Sequence, residues 1–184
     1  MTNPRIGRLP TEPALTRPDL LATPVKAALD GMPPDTAYVA EIDPNFADTA
    51  AFCAAYDVAP EVSANCVVVA GKRGGDVRIA ACMVLATTRA DVNNVVKRRL
   101  DVRKASFLPM DDAVAATGME YGGITPIGLP ADWPVLVDPA VAALPYAVVG
   151  SGLRRSKLAV PGDVLSTWPG AEIVDGLGRP VPQE

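Results

Sequence analysis

Histidine is absent from this 184-residue chain. That removes the commonest general base near neutral pH, the commonest transition-metal ligand and every Ser-His or Cys-His nucleophile pair, so the familiar hydrolytic triads are excluded. Aromatic residues make up only 5%, which argues against a surface that stacks many nucleobases. The three cysteines, Cys53, Cys66 and Cys82, stand among apolar neighbours without CxxC spacing. They read as buried thiols, not as a disulfide framework or a zinc site, and neither a metal nor a cofactor is expected. No run approaches the roughly 18 apolar residues of a membrane-crossing helix. The opening MTNPRIGRLPTEPAL lacks the apolar segment of a secretory leader. A soluble, cytoplasmic protein with no membrane partner is the expectation, and its oligomeric state is left open. Net charge is only -4, so the whole molecule is no generic polyanion binder, although a local basic patch can still meet nucleic acid.

What is present is enough apolar sequence, 49%, for one core and one domain. Residues 1–18 carry four prolines and no period, and predict an arm that is flexible or draped on the surface. The domain proper is placed at 19–175, with a tail over 176–184 whose end is frayed. Helical spacing of Leu21, Val25, Ala28 and Leu29, stopped by Gly31, predicts a helix over about 19–30. TAYVAEI reads as a short strand, and Asp48 as the cap of a helix that closes before Pro60. NCVVVA and VRIAACMVLA, separated by GKRGGD, predict a pair of antiparallel strands buried on both faces. A helix opened by Asp91 turns Val92, Val95, Val96 and Leu100 to one side, and a shorter one spans about 110–117 before Gly118. PVLVD, YAVVG and KLAV follow as strands, then a short helix from about Pro161.

The densest turn chemistry is TGMEYGGITPIGLP, residues 117–130. A paired glycine there is either a tight turn that needs only geometry or a place where a ligand reaches main-chain N–H groups; the segment is neither GxGxxG nor a P-loop. TG followed by GGITPIG, then PVLVD, lies between CVVVA...RIAACMVLATTRADVNNVVKRRL and VVGSGLRRSKLAVPGDVL. In that order, over about Thr49 to Ala171, these motifs resemble the YbaK/EbsC-like aminoacyl-tRNA deacylases, relatives of the editing domain inserted in bacterial prolyl-tRNA synthetases. The resemblance implies an α/β (α+β) single domain with a central, mostly antiparallel sheet flanked by helices. It also implies a trans-editing hydrolase that cuts the ester between a wrong amino acid and the 3′ end of its tRNA. The loop residues Gly122, Gly123, Ile124, Thr125, Pro126 and Gly128 would line the pocket, with backbone amides at Gly122 and Gly123 stabilising the oxyanion. A ribose hydroxyl of the tRNA would help to orient the attacking water.

The chain departs from the family's pattern at two places. The family's usual lysine on the first long strand falls on Asn65, a neutral amide. In GSGLRRSKL, Gly150 stands where some members have serine and Lys157 where they have aspartate. Lys157 is either the relocated cation or a solvated strand-end lysine, and Asn65 and Lys157 join Gly122 and Gly123 as catalytic candidates. If the cation is lost altogether, the alternative is a weak or inactive module that binds aminoacyl-tRNA 3′ ends or another small ligand. A third option is a protein-interaction fold with the proline-rich arm as its docking segment. Gly150, Ser151 and Gly152 are counted with the substrate-binding group. So is Asp138, although capping the turn at Pro139 is its favoured role. Thr125 offers its hydroxyl either to substrate or to its own backbone. Lys97, Arg98 and Arg99, with Arg103 and Lys104, put five cations into eight positions, and Arg154 and Arg155 form a second cluster. These are wet faces or, for Lys97, Arg98, Arg154 and Arg155 in particular, tRNA contacts around the pocket mouth.

Overall fold

The computed structural model describes residues 3–181. The chain opens with a small hairpin, β1 (Arg5–Ile6) and β2 (Leu9–Pro10), followed by β3 (Glu12–Pro13), which pairs with β4 (Tyr38–Glu41). Ile6 is fully buried and Ala14 nearly so. The segment expected as a flexible or draped arm is thus tied to the body by strand pairing, and Pro13 is tolerated because β3 is an edge strand. The helix expected over about 19–30 is shorter, α1 (Thr23–Leu29), with a single tight turn at Pro18–Leu20 before it. α2 (Thr49–Tyr56) starts where expected, but the Asp48 carboxylate makes no capping bond.

The hairpin of β5 (Ala64–Arg73) and β6 (Asp76–Leu85) forms the centre of the molecule, paired antiparallel from Ala64↔Leu85 to Arg73↔Asp76. Its β-branched run supplies the strands, and Gly74 and Gly75, both at positive φ, make the reversal. β7 (Thr88–Ala90) follows. Next, Asp91 accepts from the Asn94 N–H, and a wide turn over Val92–Val96, with Val96 N–H bonded to Asp91 O at 3.0 Å, leads into α3 (Lys97–Arg99). A regular helix was expected over this stretch; the local π-type bond widens its first turn. β8 (Ala105–Phe107) and α4 (Met110–Thr117) precede the glycine loop, with Gly118 ending α4 in the left-handed region. β9 (Val135–Val137), α5 (Pro139–Ala142), β10 (Ala147–Gly150), β11 (Ser156–Val160), α6 (Gly162–Thr167), β12 (Ala171–Ile173) and β13 (Gly178–Pro180) complete the order.

Two sheets carry the fold. One has the order β12-β9-β6-β5-β8, antiparallel about β5 and parallel on the β6-β9-β12 side; the other, β10-β11-β4-β3, is antiparallel throughout. The largest core lies between them, with Met83, Val137, Val149, Leu158 and Leu165 buried together. A second core covers the other face of the first sheet, where Val69, Cys82 and Val84 meet Val96 and Leu100. β6 is therefore buried on both faces, as its uninterrupted apolar run predicts. Leu177 is fully buried in the second core and β13 pairs with β7, so this part of the expected tail belongs to the fold. The terminal residues expected to fray, 182–184, lie outside the described residues. No described helix is long and apolar enough to cross a membrane.

Candidate active site

The sheets meet where Ser63 bridges Val148, which sets the start of β5 beside the end of β10. β8 is short and covers β5 only at Val69, Ala70 and Gly71. The first residues of β5 are left without a strand neighbour on that edge, and there a cavity of about 450 Å³ opens. Its walls come from Asn65, Cys66 and Val67 of β5, the start of α2 at Asp48 and Thr49, the end of β10, the loop at Tyr121, Gly122 and Ile124, and Lys157.

Lys157 is the main polar feature of this cavity. On β11 it lies opposite Gly150 on one side and Ala40 on the other, so small neighbours leave room for its stem on that face. Its side chain runs under α2: Nζ donates to Ala47 O at 2.9 Å and lies 5.2 Å from the centre of the Phe52 ring. Only 8% of the residue is exposed. Burial pushes its pKa down to about 8, against a partial upward pull from Asp48. The ammonium thus remains mainly charged at neutral pH, with one of its three donors used on Ala47. This is no solvated strand-end lysine.

Asn65 faces the same space. Thr49 Oγ1 donates to Asn65 Oδ1 at 2.7 Å, which fixes the amide and leaves its two N–H donors on the other atom. The cysteines add no nucleophile: burial raises the Cys66 and Cys53 thiols and takes Cys82 to about 12.

The glycine loop divides between packing and lining. Gly123 does not reach the cavity wall, and its N–H donates to Glu120 O at 3.0 Å. A Cβ there would lie 2.8 Å from the backbone of Leu153, and its carbonyl accepts from Gly152 N–H at 2.7 Å. The expectation that both glycines present amides therefore fails at Gly123, whose bareness serves close backbone approach. Gly122, at φ +77°, and Ile124 do line the cavity. Among the described residues, the N–H groups of Gly122 and Ile124 meet no acceptor. Gly150 also lines the wall, and its missing side chain admits Gly123 O, which a Cβ would approach to 2.3 Å.

Other candidates lie elsewhere. Asp138 spends Oδ1 on Ala140 N–H at 2.9 Å and Oδ2 on Gly178 N–H at 2.7 Å, which is its capping role. Ser151 bonds Ser156 Oγ at 2.7 Å inside the β10–β11 turn, and Gly152 packs on Ala22. Gly128 backs onto Pro24, Pro126 is buried outside the cavity wall, and Thr125 is fully buried with a hydroxyl that finds no partner among the described residues. Arg154 is a clasp. Its guanidinium donates to Tyr121 O at 3.1 Å and Pro44 O at 3.3 Å and lies 3.5 Å from Asp48, while its N–H donates to Glu120 Oε2 at 2.7 Å. Arg155 donates to Asp19 O, away from the cavity. Lys97 and Arg98 are on α3, also outside the cavity lining. Sequence reasoning gave no binding role to Asp48 and Thr49, read only as a helix start, or to the exposed rim residues Phe107 and Tyr121. Lone aromatics in SFLP and EYG, where loops rather than core elements were read, were the available signal.

A mixed α/β domain with a cavity between its two sheets is the class this geometry defines. Residues 43–167 match the aminoacyl-tRNA editing domain, and the chain belongs to that family. Among solved structures it is similar to a protein described as a candidate trans-editing enzyme for prolyl tRNA synthetase, with TM-score 0.70 and 19% identity over 84% of this chain and 94% of that one. A hypothetical protein, APE2540, superposes with TM-score 0.68 and 18% identity over 78% and 92% of the two chains. A protein from Marinobacter aquaeolei VT8, described as a candidate signal transduction protein, matches with TM-score 0.53 and 18% identity over 84% of this chain and 30% of that one. These likenesses establish the fold. Among curated protein sequences none matches.

Proposed function

We propose that this domain hydrolyses the ester of a mischarged aminoacyl-tRNA, with Lys157 as the cation of the site. The observation that carries the reading is a buried ammonium in a cavity lined also by Asn65, Gly122 and Ile124, the last two with N–H groups that meet no acceptor among the described residues. Water attacks the ester carbonyl, and the carbonyl π electrons move onto oxygen. The buried ammonium and the amides stabilise that oxyanion as donors already held in place. Collapse of the intermediate breaks the bond to the ribose oxygen, which takes up, as it leaves, the proton that the attacking water gives up. The free amino acid and the intact tRNA end are the products. The vicinal ribose hydroxyl orients the water, as the family resemblance implies, since the chain has no histidine and its thiols are not activated. A cavity of about 450 Å³ suits a small aminoacyl group on a ribose.

The test is a panel of mischarged tRNAs, followed by loss of the aminoacyl bond. At least one member is hydrolysed by the wild type, and Lys157→Met lowers kcat on it by roughly a hundredfold or more, the scale of one lost oxyanion donor. Turnover of none, with the 3′ end still bound, would overturn the hydrolase and leave the binding module.

A further inference from the structure

Lys72 and Arg73 end β5, and Arg78 follows the hairpin turn on β6. The stretch from α3 to β8 folds onto the same end: Arg73 and Arg78 both reach Asp101, and Gly71 packs so closely on Val102 and Lys104 that a Cβ would clash with both. Lys97, Arg98, Arg99, Arg103 and Lys104 are carried there. This end of the molecule holds eight of the chain's 17 cations, against four of its 21 acids, Asp76, Asp101, Asp132 and Glu172. The other described residues carry nine cations against 16 acids, so a protein of net charge -4 has a strongly positive pole. Asp101 and Glu172 hold Arg73, Arg78 and Arg99. Among the described residues Lys72, Lys97, Arg98, Arg103 and Lys104 have no acidic partner.

The pole is not at the cavity mouth, but β8 connects the two. Phe107 lines the cavity and is 62% exposed, and Lys104 lies three residues back in the chain, just before that edge strand begins, about 10 Å at the rise of an extended chain. Lys72 lies seven residues along β5 from Asn65, or about 23 Å. A ligand that enters the cavity past Phe107 and continues as a polyanion would therefore meet the first free cations just beyond the rim and the rest further along.

We propose that this pole docks the sugar-phosphate backbone of the tRNA acceptor arm, the unpaired 3′ end crossing β8 to place its ester in the cavity. The assignment rests on the deacylase reading for the identity of the substrate. A regularly charged strand fits free, spaced cations, whereas a compact anion fits a single cluster.

Charge reversal of Lys72→Glu, Arg103→Glu and Lys104→Glu together tests it, since all three side chains are exposed. Binding of an uncharged acceptor minihelix is followed by fluorescence anisotropy across a salt titration. The triple variant should bind at least tenfold more weakly at low salt, with the slope of log K against log salt reduced by about two to three, close to one per lost phosphate contact. Hydrolysis of 2′(3′)-aminoacyl-adenosine, which has no backbone to dock, should be unchanged. Minihelix binding that ignores the reversal would overturn the proposal, as would equal loss on both substrates, which marks damage to the fold. The binding arm reads out even if no ester is hydrolysed, so failure of the pole and failure of the hydrolase are told apart.

Discussion

Lys157→Met puts the central observation under a thermodynamic test that requires no substrate. The Lys157 ammonium is buried, and its pKa falls from 10.5 to about 8 because burial disfavours the charged form. Below pH 8 both folded and unfolded chains hold the proton, and the folded state bears the full cost of an incompletely compensated charge. Each pKa unit corresponds to about 1.4 kcal/mol, so the cost near pH 7 is about 3 kcal/mol. As pH rises from 8 towards 10.5, the folded lysine loses its proton first, the unfolded chain binds more protons, and wild-type stability gains from this residue. Methionine has no such titration. The stability advantage of the variant over wild type should therefore shrink by about 2–3 kcal/mol between pH 7 and pH 10, whatever constant offset arises from packing or the lost bond to Ala47. Denaturant titrations of both proteins at the two pH values give the difference directly, and other titrating groups cancel in it. A difference that stays constant, or that moves in favour of the variant as pH rises, would refute the buried-ammonium reasoning.

The enzyme-dependent rate should fall as pH rises through about 8, since the ammonium form of Lys157 acts; a pH profile of kcat/KM with background hydrolysis subtracted checks this, and a rise through the same range would indicate a base instead. Gly123→Ala should destabilise by about 1–3 kcal/mol, measured by urea titration, because its Cβ has Leu153 backbone atoms at 2.8 Å and no flexible neighbour to displace. Arg154→Ala should lower kcat/KM by roughly tenfold with little loss of global stability, since it frees the Tyr121 carbonyl and the Gly122 loop from their clasp to Pro44; unchanged kinetics would remove Arg154 from the positioning of that loop. Asn65→Lys in the Lys157→Met background should recover part of the lost hydrolysis, while the same change in the wild type should not raise it, because a second ammonium would crowd the first.

Much of the fold was legible because composition and periodicity report local structure directly. The β5–β6 hairpin follows from two β-branched runs around GKRGGD, and α4 from its acidic first turn and Gly118. The π-type turn after Asp91 was not legible, since Val92, Val95, Val96 and Leu100 keep helical spacing whether or not one bond skips a residue. Nor were the Arg5–Pro10 hairpin and the pairing of Glu12–Pro13 with the body, because short proline-bearing edge strands leave no period of two. At the site, sequence could nominate Asn65 and Lys157 but not their common cavity, which depends on the Ser63–Val148 bridge and on Gly150 opposite Lys157. The basic run at 97–104 was visible too, but spacing along a chain carries no information on which end of a sheet it will reach. The glycines show the same division most clearly. Gly122, Gly123, Gly150 and Gly152 look equivalent as permissive residues, yet Gly123 and Gly150 bring backbones within distances no side chain allows, Gly152 makes room for the Ala22 side chain, and Gly123's amide is spent on Glu120 O. The donors that remain for chemistry are those the packing left unengaged, so the reactive set is defined by subtraction, and only a folded chain performs that subtraction.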